Sequence, residues 1–435
     1  MLLLAAALLT FSMHSAGVVE ASVLPTAAPT VVVSGTVRTD DTVAGEHGRA
    51  FLDDLARLTP AQLDAADRDR RVVATAMDTP PTAAEVATWW AGLDSAVQAQ
   101  LERSAPVVVG NLDGVPYGVR DRANRAVLAA GLAADPGDAS ERAMLGQVRD
   151  ALHRDPGDPP KSLVTLDTRG AGRAAIAIGD LATAADVSVV VPGMFFTVTG
   201  QMPDFTATSG ALYDEQATLA PVAAPGHGTG VAVLAWMGYR TPDLSNILSL
   251  DLAKTGAQRL ERTVDGIRRL REGDQPRIGI VAHSYGSTTA MMALASGRMR
   301  ADSLTVLGSP GSEVRSASQL AVAADQMFVG QAHLDPIAGS GYFGTDPAAA
   351  SFGATVLDLS EPAPGTAGDL FRRPVGHNDY LKPGTASLHD VALIALGRGD
   401  LVRGGTHRSG GHDDGGVQPS FDLYLVRPQD LQLRD

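Results

Sequence analysis

The stretch Ile280–Gly297, IVAHSYGSTTAMMALASG, joins a short apolar run, a sharp turn and a run of small residues. Ser284 lies at the apex of the turn, with Ala282 two residues before it and Gly286 two residues after it. A serine presented on a strained strand-to-helix turn requires small residues at both places, because strand and helix pack closely there. The usual pattern is G-x-S-x-G, from which Ala282 departs by one methyl group. A plain helix N-cap would explain the serine but not its small neighbours, so we predict that Ser284 is a nucleophile.

Short apolar runs recur along the second part of the chain and are typical of buried strands. We assign strands to Leu163–Asp167, Arg173–Ile178, Asp186–Val191, Gly230–Tyr239, Arg277–Ala282, Ser303–Gly308, Met327–Gln331 and Ala354–Leu359. TRGAG between the first two suits a hairpin, and most later runs are separated by segments long enough for crossover helices. Continuous apolar strands that alternate with helices indicate a mostly parallel sheet buried on both faces. The sequence therefore predicts the α/β class, with an α/β-hydrolase fold whose eight-stranded sheet starts antiparallel and is flanked by helices.

The chain divides into four parts. Residues 44–155 form a helical N-terminal region, because apolar residues recur there three and four positions apart. The Pro/Gly-rich segment Arg154–Lys161, RDPGDPPK, marks its boundary. Residues 162–398 are the expected α/β-hydrolase catalytic domain, and residues 399–435 are a Gly-rich C-terminal tail. Residues 1–21 are a candidate signal peptide or membrane anchor.

That N-terminal assignment rests on the apolar run Leu2–Ser12, which is as long as a signal-peptide core and too short to span a bilayer. Small residues at Ser15 and Gly17, or at Val19 and Ala21, could mark cleavage. The basic start of a signal peptide is missing, and a buried or frayed helix is the alternative. We expect export or loose membrane association at the N-terminus, and a cytoplasmic location stays open.

The composition excludes several classes of function. The chain has 435 residues and a net charge of −14, and an acidic surface repels nucleic acid, so we expect no nucleic-acid partner. It has no cysteine, which excludes disulfides, cysteine nucleophiles and thiolate metal sites. GSGYFG, Gly339–Gly344, lacks the strand and the helix that a dinucleotide site needs. We expect neither a metal nor a cofactor, and the oligomeric state stays open.

A serine nucleophile needs a base, and in this fold the partners follow in the order serine, acid, histidine. The histidines that follow Ser284 are His333, His377, His389, His407 and His412. His377, in RPVGHNDYLKPG, lies between the last strand and the last helix, where the fold places its base. His333 comes too early, His389 falls within the last helix, and the other two lie in the tail. His283 adjoins the serine at a sharp turn and points elsewhere. We therefore predict His377 as the base.

The acid is expected just past the seventh strand. FVGQAHLDPIAG places Asp335 there, and a following proline would stiffen its loop. Asp346, in GTDPAAA, is the competitor. Asp358 lies within or at the end of the eighth strand, and Asp379 is too close to His377 in sequence. We favour Asp335, which would fix the imidazole tautomer and stabilise the imidazolium.

Two backbone N–H groups are candidates for an oxyanion hole. One belongs to Tyr285, the residue after the nucleophile. The other belongs to Met194, because the third strand ends VVVPGMFF and Gly193 would let the backbone approach closely. The alternative for the second candidate is a simple Pro-Gly turn at the strand end.

Several short stretches occur together between about Trp89 and Gly397: WWAGL, GNLDGVPYGVRDRAN, VPGM, LAWMGY, AHSYG, DPIAG, DPAAASFGA and GHNDYL. Their combination resembles an actinobacterial α/β-hydrolase family that is often catalogued as a domain of unknown function. The resemblance implies an α/β-hydrolase fold in which Ser284, Asp335 and His377 match the catalytic triad. It does not imply a substrate.

Two hypotheses of function follow. In the first, the protein is a serine hydrolase that cleaves a small ester-like molecule. We favour a carboxylic ester, because this fold most often hosts esterases and lipases. In the second, it is a non-catalytic α/β-hydrolase scaffold that binds a partner or ligand through its helical region.

GNLDGVP either docks that region on the core or lines the mouth of the site. Trp89 and Trp90 are either docking residues, which we favour, or a substrate platform.

Overall fold

The computed structural model describes residues 43–134, 138–223, 230–243, 245–246, 249–360 and 371–404. The candidate signal peptide or anchor at residues 1–21 and the tail beyond residue 404, with His407 and His412, lie outside the described residues. Within the described ranges, no helix is both long enough and apolar enough to cross a membrane.

One eight-stranded sheet forms the centre of the protein. Its strands are β1 (Lys161–Asp167), β2 (Arg173–Gly179), β3 (Asp186–Val191), β4 (Val231–Met237), β5 (Arg277–His283), β6 (Ser303–Leu307), β7 (Met327–Gly330) and β8 (Thr355–Val356). They lie in the order β1-β2-β4-β3-β5-β6-β7-β8. Strand β2 runs antiparallel to β1 and β4, and the other neighbours are parallel. The predicted fold class is confirmed.

The parallel register brings the site residues to one edge of the sheet. Val191 at the end of β3 pairs with Ala282 of β5, and His283 pairs with Leu307 at the end of β6. The segments that leave the carboxyl ends of these strands therefore start side by side, which is where open α/β sheets place their ligands.

Helices cover both faces of the sheet. They are α1 (Gly48–Arg57), α2 (Pro60–Ala66), α3 (Arg70–Asp78), α4 (Ala83–Ala91), α5 (Ser95–Ser104), α6 (Pro106–Val109), α7 (Tyr117–Ala133), α8 (Ala139–Ala151), α9 (Val198–Ala223), α10 (Asp251–Leu270), α11 (Tyr285–Ala295) and α12 (Ala386–Ala395). Helix α10 has an apolar face, with Leu260, Val264 and Ile267 buried. It packs with α11 on one face of the sheet, and α8, α9 and α12 pack on the other.

The helical region is divided between two cores. Helices α1 to α6 share a core of their own, in which Trp89 and Trp90 are buried. Helices α7 and α8 instead contribute Leu128 and Leu145 to the core of the sheet. The two tryptophans therefore serve packing rather than a substrate platform.

The GNLDGVP loop joins the helical region to the edge strand β1. The Asn111 side chain donates to the carbonyl of Leu166 and accepts from its N–H, both at 2.9 Å. Asn111 thus supplies to β1 the pair of hydrogen bonds that a neighbouring strand would supply, and it covers an otherwise open sheet edge. This contact favours the docking interpretation of the loop.

Candidate active site

The turn at Ser284 is strained, as a nucleophile elbow requires. Ser284 follows β5 and precedes α11 with φ 55° and ψ −130°, a conformation that residues other than glycine rarely adopt. A side-chain carbon at Gly286 would lie 2.5 Å from the carbonyl oxygen of Pro192, so only glycine fits there. Ala282 is fully buried in β5, and its methyl group is accommodated at the position where the pattern usually has glycine.

The three predicted side chains lie within hydrogen-bonding distance of one another. The His377 Nε2 atom is 2.8 Å from Ser284 Oγ, and His377 Nδ1 is 3.0 Å from Asp335 Oδ1 and 3.1 Å from Oδ2. The contact between Asp335 and His377 Nδ1 fixes the tautomer, because the carboxylate accepts the Nδ1 proton and leaves Nε2 free to accept from the serine. The arrangement is that of a nucleophile, a base and an orienting acid.

Asp335 is held by more than the histidine. Its Oδ2 atom accepts from the Tyr380 hydroxyl at 2.6 Å, and its Oδ1 atom accepts from the N–H of Ile337 at 2.9 Å. Burial raises the pKa of Asp335, but these hydrogen bonds and those to His377 outweigh it, so the net pKa lies below its usual value. The carboxylate therefore stays ionised at neutral pH.

The competing acids are engaged elsewhere. Asp346 accepts from the backbone N–H of Ala348 at 2.9 Å. Asp379 is paired with Arg372. Asp358 accepts from the backbone N–H of the residue two positions on, Ser360. Of the four carboxylates considered, Asp335 is the one that the structure places against His377.

His283 and the other described histidines that follow Ser284 have separate contacts. His389 pairs with Glu215 at 2.7 Å. His333 forms a backbone bridge with Val375. His283 Nε2 donates to the backbone carbonyl of His377 at 2.6 Å, and burial together with the neighbouring His377 lowers the pKa of His283. A neutral His283 therefore anchors the loop that carries the base.

The candidate oxyanion loop approaches the serine closely. A side-chain carbon at Gly193 would lie 2.6 Å from the Cβ atom of Ser284. The Tyr239 hydroxyl donates to the carbonyl of Pro192 at 2.7 Å and fixes the start of this loop. The backbone N–H groups of Met194 and Tyr285 donate to no residue that the structure describes.

Sequence reasoning missed three supports of this site. Tyr380 binds Asp335, and His283 binds the backbone of His377. Gly308 follows β6 with φ 60°, and a side-chain carbon there would lie 2.8 Å from Asp335 Oδ2. Gly308 ends the sixth apolar run, and a glycine at the end of a strand can be recognised in the sequence. Nothing in the local sequence distinguishes Tyr380 from a core residue.

Two exposed apolar side chains flank the site. Leu334, directly before Asp335, is 68% exposed and has φ 58°, and Val375, two residues before His377, is 45% exposed. Ser284 itself is only 1% exposed. We call these two side chains, which adjoin the candidate acid and base in the chain, the apolar rim.

The fold and this site define the class of the protein as an α/β hydrolase. A family model described as alpha/beta hydrolase matches residues 167–345. An uncharacterized protein of Mycobacterium bovis is 33% identical over 189 residues, which are 42% of this chain and 70% of the relative. The chain belongs to this alpha/beta-hydrolase family.

Longer and more distant likenesses exist as well. An uncharacterized protein of Mycobacterium tuberculosis is 31% identical over 380 residues, which are 74% of this chain and 56% of the relative, so the chain spans little more than half of that protein. The crystal structure of carboxyl esterase 2 from the fungus Tuber melanosporum has 12% identity and a TM-score of 0.33, over 58% of this chain and 90% of that one. The structural likeness does not bear on what this chain acts on.

Proposed function

We propose that the protein is a serine hydrolase that cleaves a carboxylic ester through an acyl-enzyme. The observation that supports this most strongly is the 2.8 Å contact between Ser284 Oγ and His377 Nε2 on a strained elbow. A serine hydroxyl is a weak nucleophile, and an adjacent base oriented by a third group is what activates it.

The first half-reaction forms the acyl-enzyme. Ser284 Oγ attacks the ester carbonyl carbon while His377 Nε2 takes the hydroxyl proton. The oxyanion accepts hydrogen bonds from the N–H groups of Tyr285 and Met194. The C–O bond to the alcohol then breaks, and the alcohol leaves with the proton from His377. Ionised Asp335 stabilises the imidazolium that exists between these two steps.

The second half-reaction releases the acid. His377 Nε2 takes a proton from water, and the water oxygen attacks the acyl carbon. The tetrahedral intermediate collapses, Ser284 Oγ departs, and His377 returns the proton to it. The products are a carboxylic acid and the starting enzyme.

The apolar rim supports a substrate with an apolar group. Leu334 and Val375 adjoin the acid and the base, and both expose side chains that water solvates poorly. Because Ser284 is nearly buried, we expect small esters to be hydrolysed faster than bulky ones. An ester is preferred to an amide because an alcohol leaves more readily than an amine.

Hydrolysis of a series of p-nitrophenyl esters tests the proposal. Wild-type protein should turn over the shorter esters, and Ser284→Ala should lose this activity. Ser296→Ala is the matched control, because its hydroxyl binds a carbonyl at the far end of the same helix. Full turnover by Ser284→Ala would refute the proposed role of Ser284, and loss in Ser296→Ala alone would locate the chemistry elsewhere.

A further inference from the structure

A polar cavity lies away from the triad, where the helical region meets the core. It has a volume of about 50 Å³. Helix α3 and the residues after it form one wall, α10 forms another, and β1, β2 and β4 contribute Asp167, Arg173 and Trp236. A cavity needs roughly 10–15 Å³ to hold one water, so this one has room for a small ion.

The walls of the cavity carry an excess of positive charge. They contain the arginines Arg120, Arg173, Arg259 and Arg262, and the aspartates Asp113 and Asp167. Four positive charges against two negative ones leave an excess of two. Next to the cavity, Asp78 and Arg169 add one charge of each sign, so the excess is unchanged. Such an excess is unexpected in a chain whose net charge is −14.

The carboxylates do not neutralise all of the arginines. Asp78 is shared by Arg169, Arg173 and Arg259, and Asp167 is shared by Arg169 and Arg173. Arg120 is fully engaged, with Asp113 at 2.8 Å and with the carbonyl of Gly110 at 3.2 Å.

Arg262 differs from the other three. It is half-buried and lines the cavity, yet it makes no hydrogen bond or ion pair with any residue in the described ranges. Its guanidinium carries five N–H donors in a planar fork. These donors are available to a ligand in the cavity.

Burial destabilises the protonated form of two arginines of the cavity. Burial, followed by repulsion from Arg173, lowers the pKa of Arg259 to about 10. Burial also lowers the pKa of Arg262 and outweighs the attraction of Asp113, Asp78 and Glu261, while repulsion from Arg173 adds to the lowering. An anion between these side chains would relieve both the desolvation and the repulsion.

We propose that this cavity is a binding site for a phosphate-type oxoanion, held by Arg262 with Arg173 and Arg259. The guanidinium fork matches two oxygens of one tetrahedral anion, which a spherical chloride ion cannot offer. Because α3 lies on one side and the sheet on the other, the bound anion also joins the helical region to the core. A ligand that binds only the folded state raises the stability of the protein by mass action.

Titration of the full chain with inorganic phosphate tests the site, with no substrate present. Calorimetry should show saturable binding, and the melting temperature should rise above that in sodium chloride of equal ionic strength. Arg262→Gln should weaken binding by about tenfold or more, since it removes charged hydrogen bonds. Arg262→Lys should bind more weakly than wild type, because it keeps the charge but loses the fork.

The control is Arg103→Gln, which removes the same charge from an exposed position on α5. It should bind phosphate as wild type does. Without phosphate, Arg262→Gln should melt at or above the wild-type temperature, because it removes a charge that burial destabilises. Equal responses to phosphate and chloride, or equal losses in Arg262→Gln and Arg103→Gln, would overturn the proposal. These outcomes are independent of whether the protein hydrolyses esters.

Discussion

Replacing Gly193 with alanine directly perturbs the candidate oxyanion loop. The new side-chain carbon would lie 2.6 Å from the Cβ atom of Ser284 and 3.2 Å from both Ser284 Oγ and the carbonyl oxygen of His283. Carbon atoms normally come no closer than about 3.5 Å. The loop or the elbow must therefore move by about 1 Å.

That movement displaces a donor from the developing oxyanion. Loss of one such donor typically costs about 10²–10³ in kcat, or about 2.7–4 kcal/mol of transition-state stabilisation. A misplacement of about 1 Å is by itself sufficient for a loss of about 10²-fold. We expect Gly193→Ala to lower kcat/KM by about 10²–10³-fold.

The assay is hydrolysis of p-nitrophenyl acetate, with thermal unfolding to show that each variant is folded. Gly210→Ala is the matched control, since Gly210 lies within α9 and a side-chain carbon there meets nothing within 4 Å. It should keep full activity and gain about 0.5–1 kcal/mol of stability. A folded Gly193→Ala variant with more than a third of the wild-type kcat/KM would refute the placement of this loop in the active site.

Three further predictions concern stability. Ser284→Gly should be more stable than Ser284→Ala by about 1 kcal/mol in urea unfolding, because glycine tolerates φ 55° and alanine does not; equal stabilities would show that the elbow is not strained. Tyr380→Phe should lose about 2–4 kcal/mol, because Asp335 loses a donor and the buried N–H of Ala332 loses its acceptor; an unchanged urea midpoint would contradict this. Burial raises the pKa of Asp67 from 3.8 to about 6. A raised folded-state pKa means that stability is highest below the unfolded pKa and falls as the pH rises to about 6. The gain of Asp67→Asn over wild type should therefore grow by about 2 kcal/mol between about pH 4 and pH 6 in urea unfolding, and a constant difference would contradict the assignment.

The sheet could be predicted because its strands are continuous apolar runs bounded by turns. The eighth strand shows the limit of that signal. Its apolar run suggests Ala354–Leu359, yet the ladder covers only Thr355–Val356. Beyond it, Leu357 forms an antiparallel bridge with Gly404, a partner far along the chain that no local pattern reveals.

The candidate triad could be predicted because strand order fixes which loops meet. The groups that hold the triad in place could not. Tyr380 contacts Asp335 across 45 residues of sequence, and His283 contacts the carbonyl of His377 across 94. A tyrosine in a loop and a histidine in a strand have ordinary packing roles, and only the folded geometry gives them their specific partners.

The central claim is that Ser284 is an activated nucleophile, and covalent labelling tests it most directly. The protein would be treated with a fluorophosphonate and, because Ser284 is nearly buried, separately with a small sulfonyl fluoride. Trypsin releases Ile278–Arg298, which contains three serines, so fragmentation must locate the adduct. We predict label on Ser284, absent in Ser284→Ala and formed about 10²–10⁴-fold more slowly in His377→Ala. Folded wild-type protein that takes up neither reagent, or takes it up only at another residue, would contradict the claim.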